Sequence, residues 1–287
     1  MFLFKVVLFL IVSLILQLIL TDGAWAWGPA VHTVIACTAL DELSAISPMI
    51  AAIIRSFPLE YIYGTLAADF FVGKGKKKRE GHPHTWETAF RFLEEAKGDR
   101  EAAYGYGFFS HLAADVVAHN YFVPNLIHSV STWKRMGHIY WEVKADQFVD
   151  PVYMRVARDV LSMEELGCDD LLKSAVRTSR NGLKTRKHLF TQSVKLSDFL
   201  SCSQPVGIVN RSSRYQISQE YLIFMINLAY RLVKDFLTHP GSSPCLSYDP
   251  IGSRNIRLAS RNGILSKLFN IPRPMYRFSV DQELLEL

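Results

Sequence analysis

The stretch His111-Leu112-Ala113-Ala114-Asp115-Val116-Val117-Ala118-His119 constrains this chain more than any other. It lies in an apolar run that opens at Tyr104, follows a plausible helix start at Asp99 and ends near Asn120 and Pro124. Metal-ligand side chains recur at every fourth residue, so on a helix they share one face with a drift of roughly 80° over two turns. A polar stripe thus runs along a helix that the surrounding residues require to be buried. His111 and His119 are about 12 Å apart in helix rise, whereas zinc–ligand bonds are about 2 Å, so one ion does not reach both. A carboxylate midway between them bridges, which predicts two or more metals sharing Asp115. The alternative is a core histidine pair satisfied by backbone or other side chains. Asp115 shifts the balance, because three interior ionisable groups on one face need compensation that a metal cluster supplies.

A second pair, His138-x3-Glu142, repeats the step in a segment where Trp133, Met136, Val143 and Phe148 predict another core helix. Upstream, Trp27-Gly28-Pro29 introduces a helix from Ala30 to about Ile46 that carries His32, and Ser47-Pro48 starts another. Asp69 ends the small apolar stretch Tyr61–Ala68. After it, Gly73-Lys74-Gly75-Lys76-Lys77-Lys78-Arg79 reads as a solvated cationic loop or as a rim attracting phosphate. Of the two histidines in Gly81-His82-Pro83-His84-Thr85-Trp86, His84 is the better ligand because it begins the next helix, while His82 precedes a proline.

The N-terminus reads as a targeting segment. Lys5 precedes an apolar run from Val6 to about Leu20, and Ala24-Trp25-Ala26 fits a small-x-small cleavage pattern, giving a signal peptide over residues 1–26. Cleavage leaves Trp27 first, and its free amine and carbonyl together chelate a metal in a five-membered ring. The protein is then secreted or periplasmic; the alternative is an uncleaved membrane anchor. Export permits disulfides, and Cys37, Cys168, Cys202 and Cys245 allow three pairings that spacing does not choose between.

Beyond Pro151 further helices are predicted over about Val152–Leu161, Asp169–Ser179 and Ser218–Leu237, with a basic, solvated stretch at Arg177–Lys187. No alternating strands and no glycine-rich phosphate loop occur, so the fold class is all-α. His128, His188 and His239 are assigned no chemistry. After Gly241 the chain turns to Ser, Pro, Arg and isolated apolar residues, with a short helix at Ile264–Phe269. With 287 residues, 49% of them apolar, the chain has ample material for a core. A net charge of +5 favours anionic substrates or surfaces and is too small to demand nucleic acid.

Taken as an ordered set, Trp-x4-His, Asp, His, His-x3-Asp-x3-His and His-x3-Glu between Trp27 and Glu142 resembles the zinc-dependent phospholipase C family, related in architecture to the single-strand zinc nucleases. The resemblance implies a multi-helix bundle over residues 27–240, a C-terminal extension over 241–287, and three zinc ions. It implies one zinc on Asp69, His84, His111 and Asp115, a second on Trp27, His32 and Asp115, and a third on His119, His138 and Glu142. The interval from Asp115 to His119 is shorter than in the family members, with His128 the nearby rival, whereas Glu142 follows the phospholipases. The resemblance further implies phosphodiester hydrolysis by zinc-activated water with Asp69 as the catalytic carboxylate, and glycerophospholipid at a membrane surface as substrate. The alternatives are a single-strand nuclease of the same architecture, with nucleic acid as the partner, and a non-catalytic zinc-binding envelope protein.

Overall fold

A computed structural model describes residues 27–71, 82–129, 141, 144–163, 168–176, 180–203, 218–259 and 277–287. The expected signal segment 1–26, the cationic stretch 73–79, the short helix expected at 264–269 and the expected ligand pair His138 and Glu142 lie outside the described residues. Among the described residues the chain is helical and carries no strand.

The centre of the bundle is α5, Asp99–Val117, which opens with Asp99 and Glu101 in its first turn, where acidic side chains oppose the positive end of the helix dipole. From Ala103 onward every residue of it is buried. Around it pack α2 (Pro48–Ser56), α3 (Pro58–Ala67), α4 (Trp86–Glu95) and α10 (Gln219–Thr238). The first helix, α1 (Pro29–Asp41), starts on Pro29 as its N1 residue and ends earlier than Ile46, yielding to a tight turn at Leu43–Ala45. It packs on α3, α7 (Pro151–Ser162) and α10.

Helices α3 and α5 meet at Gly64 and Gly107. A Cβ on Gly64 would stand 2.1 Å from the Tyr104 carbonyl oxygen, and one on Gly107 would stand 2.0 Å from that of Tyr61. The two backbones touch there, which only glycine permits. Aromatic packing closes the other side: Phe109 stacks on Phe236 of α10 at 4.5 Å and on Trp86 of α4 at 6.1 Å.

Past α5 the ladder widens into a π-helical turn, Ala118–Phe122, before α6 (Val123–Ser129). Such turns insert a residue into a helix and recur at functional sites. Downstream, α8 runs only over Asp169–Ala175, and the basic stretch expected as solvated surface belongs partly to a long helix, α9, Arg180–Ser203. Within it Lys187 bonds to Asp169 at 2.9 Å and sits 4.9 Å from the Tyr63 ring centroid, so this cation is a packing element. The tertiary contact, absent from local charge patterning, corrects the reading at Lys187, while Lys184 is exposed as expected.

The described part of the C-terminal extension lies on the bundle. Asn125 accepts from the backbone of Arg277 and Phe278, Tyr121 and Tyr248 both donate to Asp281, and Arg231 donates to the Leu284 and Leu285 carbonyls. Cys37, Cys168 and Cys245 form no disulfide with one another. Among the described residues no helix is long and apolar enough to cross a membrane.

Candidate metal centre

His111 and Asp115 stand one turn apart on α5, as their spacing predicts. The Nδ1 of His111 lies 2.8 Å from the Thr65 carbonyl on α3. A carbonyl only accepts, so this bond holds a proton on Nδ1 and makes Nε2 the atom that a metal would take in place of the second proton. The Gly64–Gly107 contact brings Thr65 within reach. One turn further, the chain leaves α3 through the tight turn Ala68–Phe71, which carries Asp69 and is anchored by Phe70 against Phe190 of α9.

His84 comes in from the opposite side. It does not begin α4 but sits in the turn two residues ahead, with Thr85 as the N-cap accepting from the Thr88 amide. Both threonine hydroxyls donate to the His82 carbonyl, fixing the turn that presents His84.

Four ligand atoms converge. The Nε2 of His111 is 3.2 Å from the Nε2 of His84, 3.2 Å from Asp115 Oδ2 and 3.8 Å from Asp69 Oδ1. The Nε2 of His84 is 3.6 Å from Asp69 Oδ1 and 3.7 Å from Asp115 Oδ2. Tetrahedral zinc with bonds of about 2.0–2.1 Å spaces its ligand atoms by about 3.3 Å, close to these separations.

The second oxygen of Asp115, Oδ1, faces His32, whose Nε2 is 3.4 Å away. The His32 ring stacks on His111 at 4.0 Å. Asp115 therefore points one oxygen at His84 and His111 and the other at His32. His32, Asp69 and His111 have ligand atoms within 4.8 Å of one another, and so do His84, His111 and Asp115. His32 Nε2, Asp69 Oδ2 and Asp115 Oδ1 are buried and make no hydrogen bond within the protein. Orphaned polar atoms this deep cost free energy that a cation in their midst recovers. Nitrogen and carboxylate donors of this kind suit zinc.

Burial works against the charge on Asp115, but His111 and His119 beside it hold the carboxyl well below the usual carboxylate range. Burial lowers the His111 imidazole, yet Asp115 and Asp69 with the bonds to Asp115 and Thr65 carry it up to about 9. Burial lowers His32, helped by His111, and lowers His119 as well, which favours neutral, ligating rings.

Trp27 is fully buried, its ring 4.5 Å from Phe122 and its indole N–H donating to the Ala114 carbonyl at 3.0 Å. That bond fastens the residue beside Asp115. His119 follows Asp115 by one turn, its Nδ1 3.7 Å from Asp115 Oδ2 and 2.5 Å from the carbonyl of Pro250. His138 and Glu142 fall outside the described residues, although Trp141 between them is fully buried.

Sequence reasoning missed two contributors. Asp146 accepts from the Val31 amide at 3.0 Å and the Ala30 amide at 3.3 Å, capping the start of α1 just ahead of His32. Its signal was present, since His138, Glu142 and Asp146 continue one four-residue step. Pro250 left no signal, because a backbone carbonyl has no residue type.

A family model described as zinc dependent phospholipase C matches residues 31–198 of the chain. No match was found among curated proteins or solved structures.

Proposed function

The chain belongs to the zinc-dependent phospholipase C family, and from that premise we propose that it is an exported phosphodiester hydrolase that cleaves glycerophospholipids. The observation that carries this reading is the divided carboxylate of Asp115, one oxygen near His84 and His111 and the other near His32. A single ion has no use for such a division; a shared ligand between two ions does.

One ion would be held by Asp69, His84, His111 and Asp115. A second would be held by His32, Asp115 and the amine and carbonyl of Trp27, which signal cleavage after Ala26 would expose. A third would be held by His119, His138 and Glu142. Bound zinc neutralises charge on phosphoryl oxygens and lowers the pKa of water that it coordinates towards about 7. Asp69, with Oδ1 near both histidines and Oδ2 unbonded within the protein, orients the attacking water and takes its proton. In-line attack forms the new P–O bond while the bond from phosphorus to the glycerol oxygen breaks. The leaving alkoxide takes up a proton, giving diacylglycerol and a phosphorylated headgroup. The positive charge of the chain favours approach of an anionic phosphate.

The test offers one zinc-loaded preparation both phosphatidylcholine vesicles and single-stranded DNA, with and without chelator. Chelator-sensitive release of diacylglycerol supports the reading. Hydrolysis of DNA alone makes the protein a nuclease of this architecture, and loss of fold on chelation with no turnover of either substrate makes zinc structural.

A further inference from the structure

His119 ends the ligand stripe where α5 gives way to the π-helical turn Ala118–Phe122, and that turn is wrapped by a segment 130 residues further on, at Tyr248–Asn255. The widened turn shifts the backbone bonding register, and the distant segment supplies partners. Asn120 donates to the Asp249 carbonyl at 2.9 Å, and Asn255 donates to the Asn120 carbonyl at 2.9 Å. The Pro250 carbonyl faces Nδ1 of His119 at 2.5 Å.

The segment is itself shaped for this contact. Asp249 accepts from the Ile251 and Ser253 amides, and the Gly252 amide returns to the Asp249 carbonyl at 2.9 Å, closing a tight turn. Gly252 has φ +58°, and a Cβ there would stand 2.2 Å from the His119 carbonyl oxygen. Both the left-handed backbone and the space require glycine. Trp86 fastens the near end, donating to the Tyr248 carbonyl at 2.8 Å.

From this geometry we propose that the Tyr248–Asn255 turn, which lies beyond the residues matched by the family model, is a positioning element of the metal centre. It acts through the ring of His119. A carbonyl accepts and never donates, so Pro250 holds the proton on Nδ1 and leaves Nε2 as the coordinating atom, while Gly252 and Asn255 fix the π-helical turn at the angle the ring needs. Supporting contacts of this kind typically change metal affinity by about 10–100-fold. The proposal rests on the reading of His119 as a zinc ligand.

The test uses the full chain, exported and zinc-loaded, as wild type, Gly252→Ala, Asn255→Ala, His119→Ala and the Gly252→Ala/His119→Ala double variant. Zinc per chain is followed against rising chelator, cobalt-substituted samples give a ligand-field spectrum, and thermal melting of the stripped proteins reports the fold. Gly252→Ala and Asn255→Ala are expected to release one zinc equivalent at about 10–100-fold lower chelator than wild type. It should be the same equivalent, with the same altered cobalt band, that His119→Ala loses, and the double variant should lose no more. Asn255→Ala decides the matter if Gly252→Ala does not fold, because it removes one donor without straining the backbone. The proposal is overturned if both turn variants keep wild-type zinc and cobalt spectra at a chelator level that strips His119→Ala, or if they shed every ion together with their fold. Full zinc in His119→Ala itself would instead remove His119 from the ligand set, taking the turn's role with it while leaving the other ions in place.

Discussion

The Nε2 atoms of His84 and His111 stand 3.2 Å apart, although 27 residues separate them in the chain, and both face the same oxygen of Asp115. His111 already gives its other nitrogen to the Thr65 carbonyl. Two imidazoles aimed at one point, with two carboxylates beside them, make a cation-binding arrangement whether or not a proton substitutes for the metal.

Replacing Asp69 by Asn tests the catalytic assignment. The amide keeps the volume and one ligand oxygen but accepts no proton. Turnover of phosphatidylcholine is expected to fall about 10²–10⁴-fold, the usual worth of a general base, and by far more than zinc content falls. Matched metal analysis and diacylglycerol release check it; equal losses of both would reduce Asp69 to a ligand only.

Stripping the metal should invert the effect of alkali. The imidazole of His111 has an ordinary pKa of 6.5 and is carried up to about 9 in the folded, metal-free chain. Folding therefore strengthens its hold on the proton, and the associated stability is complete below about 6.5 and lost as pH rises through about 9. Asp115, held low, works the other way, and its contribution disappears as pH falls through its depressed range. Zinc needs His111 without the proton, so the loaded protein is expected to keep its stability across the alkaline window in which the stripped one declines. Urea melts of both forms between about pH 5.5 and 10, a window spanning about one unit beyond each pKa, decide the point.

Gly107→Ala is expected to destabilise the protein by at least about 1–3 kcal/mol, because its Cβ would meet the Tyr61 carbonyl at 2.0 Å where only backbone can yield. Separation of α3 from α5 also withdraws Thr65 from His111. Chemical denaturation reads the first effect, and weakened zinc retention in the surviving folded fraction reads the second.

Removal of the Asp146 carboxylate by Asp146→Ala takes the acceptors from the Ala30 and Val31 amides. The loss of a helix cap costs about 0.5–2 kcal/mol. Since this cap holds the turn between Trp27 and His32, chelator should extract one ion more readily from the variant. A melt that moves without any change in zinc retention would confine Asp146 to the fold.

Much of this was legible in the residues. The four-residue step through His111 and Asp115 placed both on one buried helical face, and the prolines at 29, 48, 58 and 151 marked helix starts, three of them expected. Less visible was anything fixed by tertiary contact. The α3–α5 approach depends on two glycines 43 residues apart, and Lys187 reads as surface until Asp169 and Tyr63 come beside it. The short step from Asp115 to His119 looked irregular against the family pattern; the π-helical turn and the Pro250 carbonyl are what the structure sets around it. Asp146 stands one more four-residue step beyond Glu142, where only the contact with the Ala30 and Val31 amides shows its role.

Zinc content of the exported protein, measured beside that of Asp115→Asn, tests the sharing of one carboxylate most directly. More than one zinc per wild-type chain is expected, with the variant losing zinc and turnover together. An Asp115→Asn protein that retains the wild-type zinc content and full hydrolysis would contradict the account.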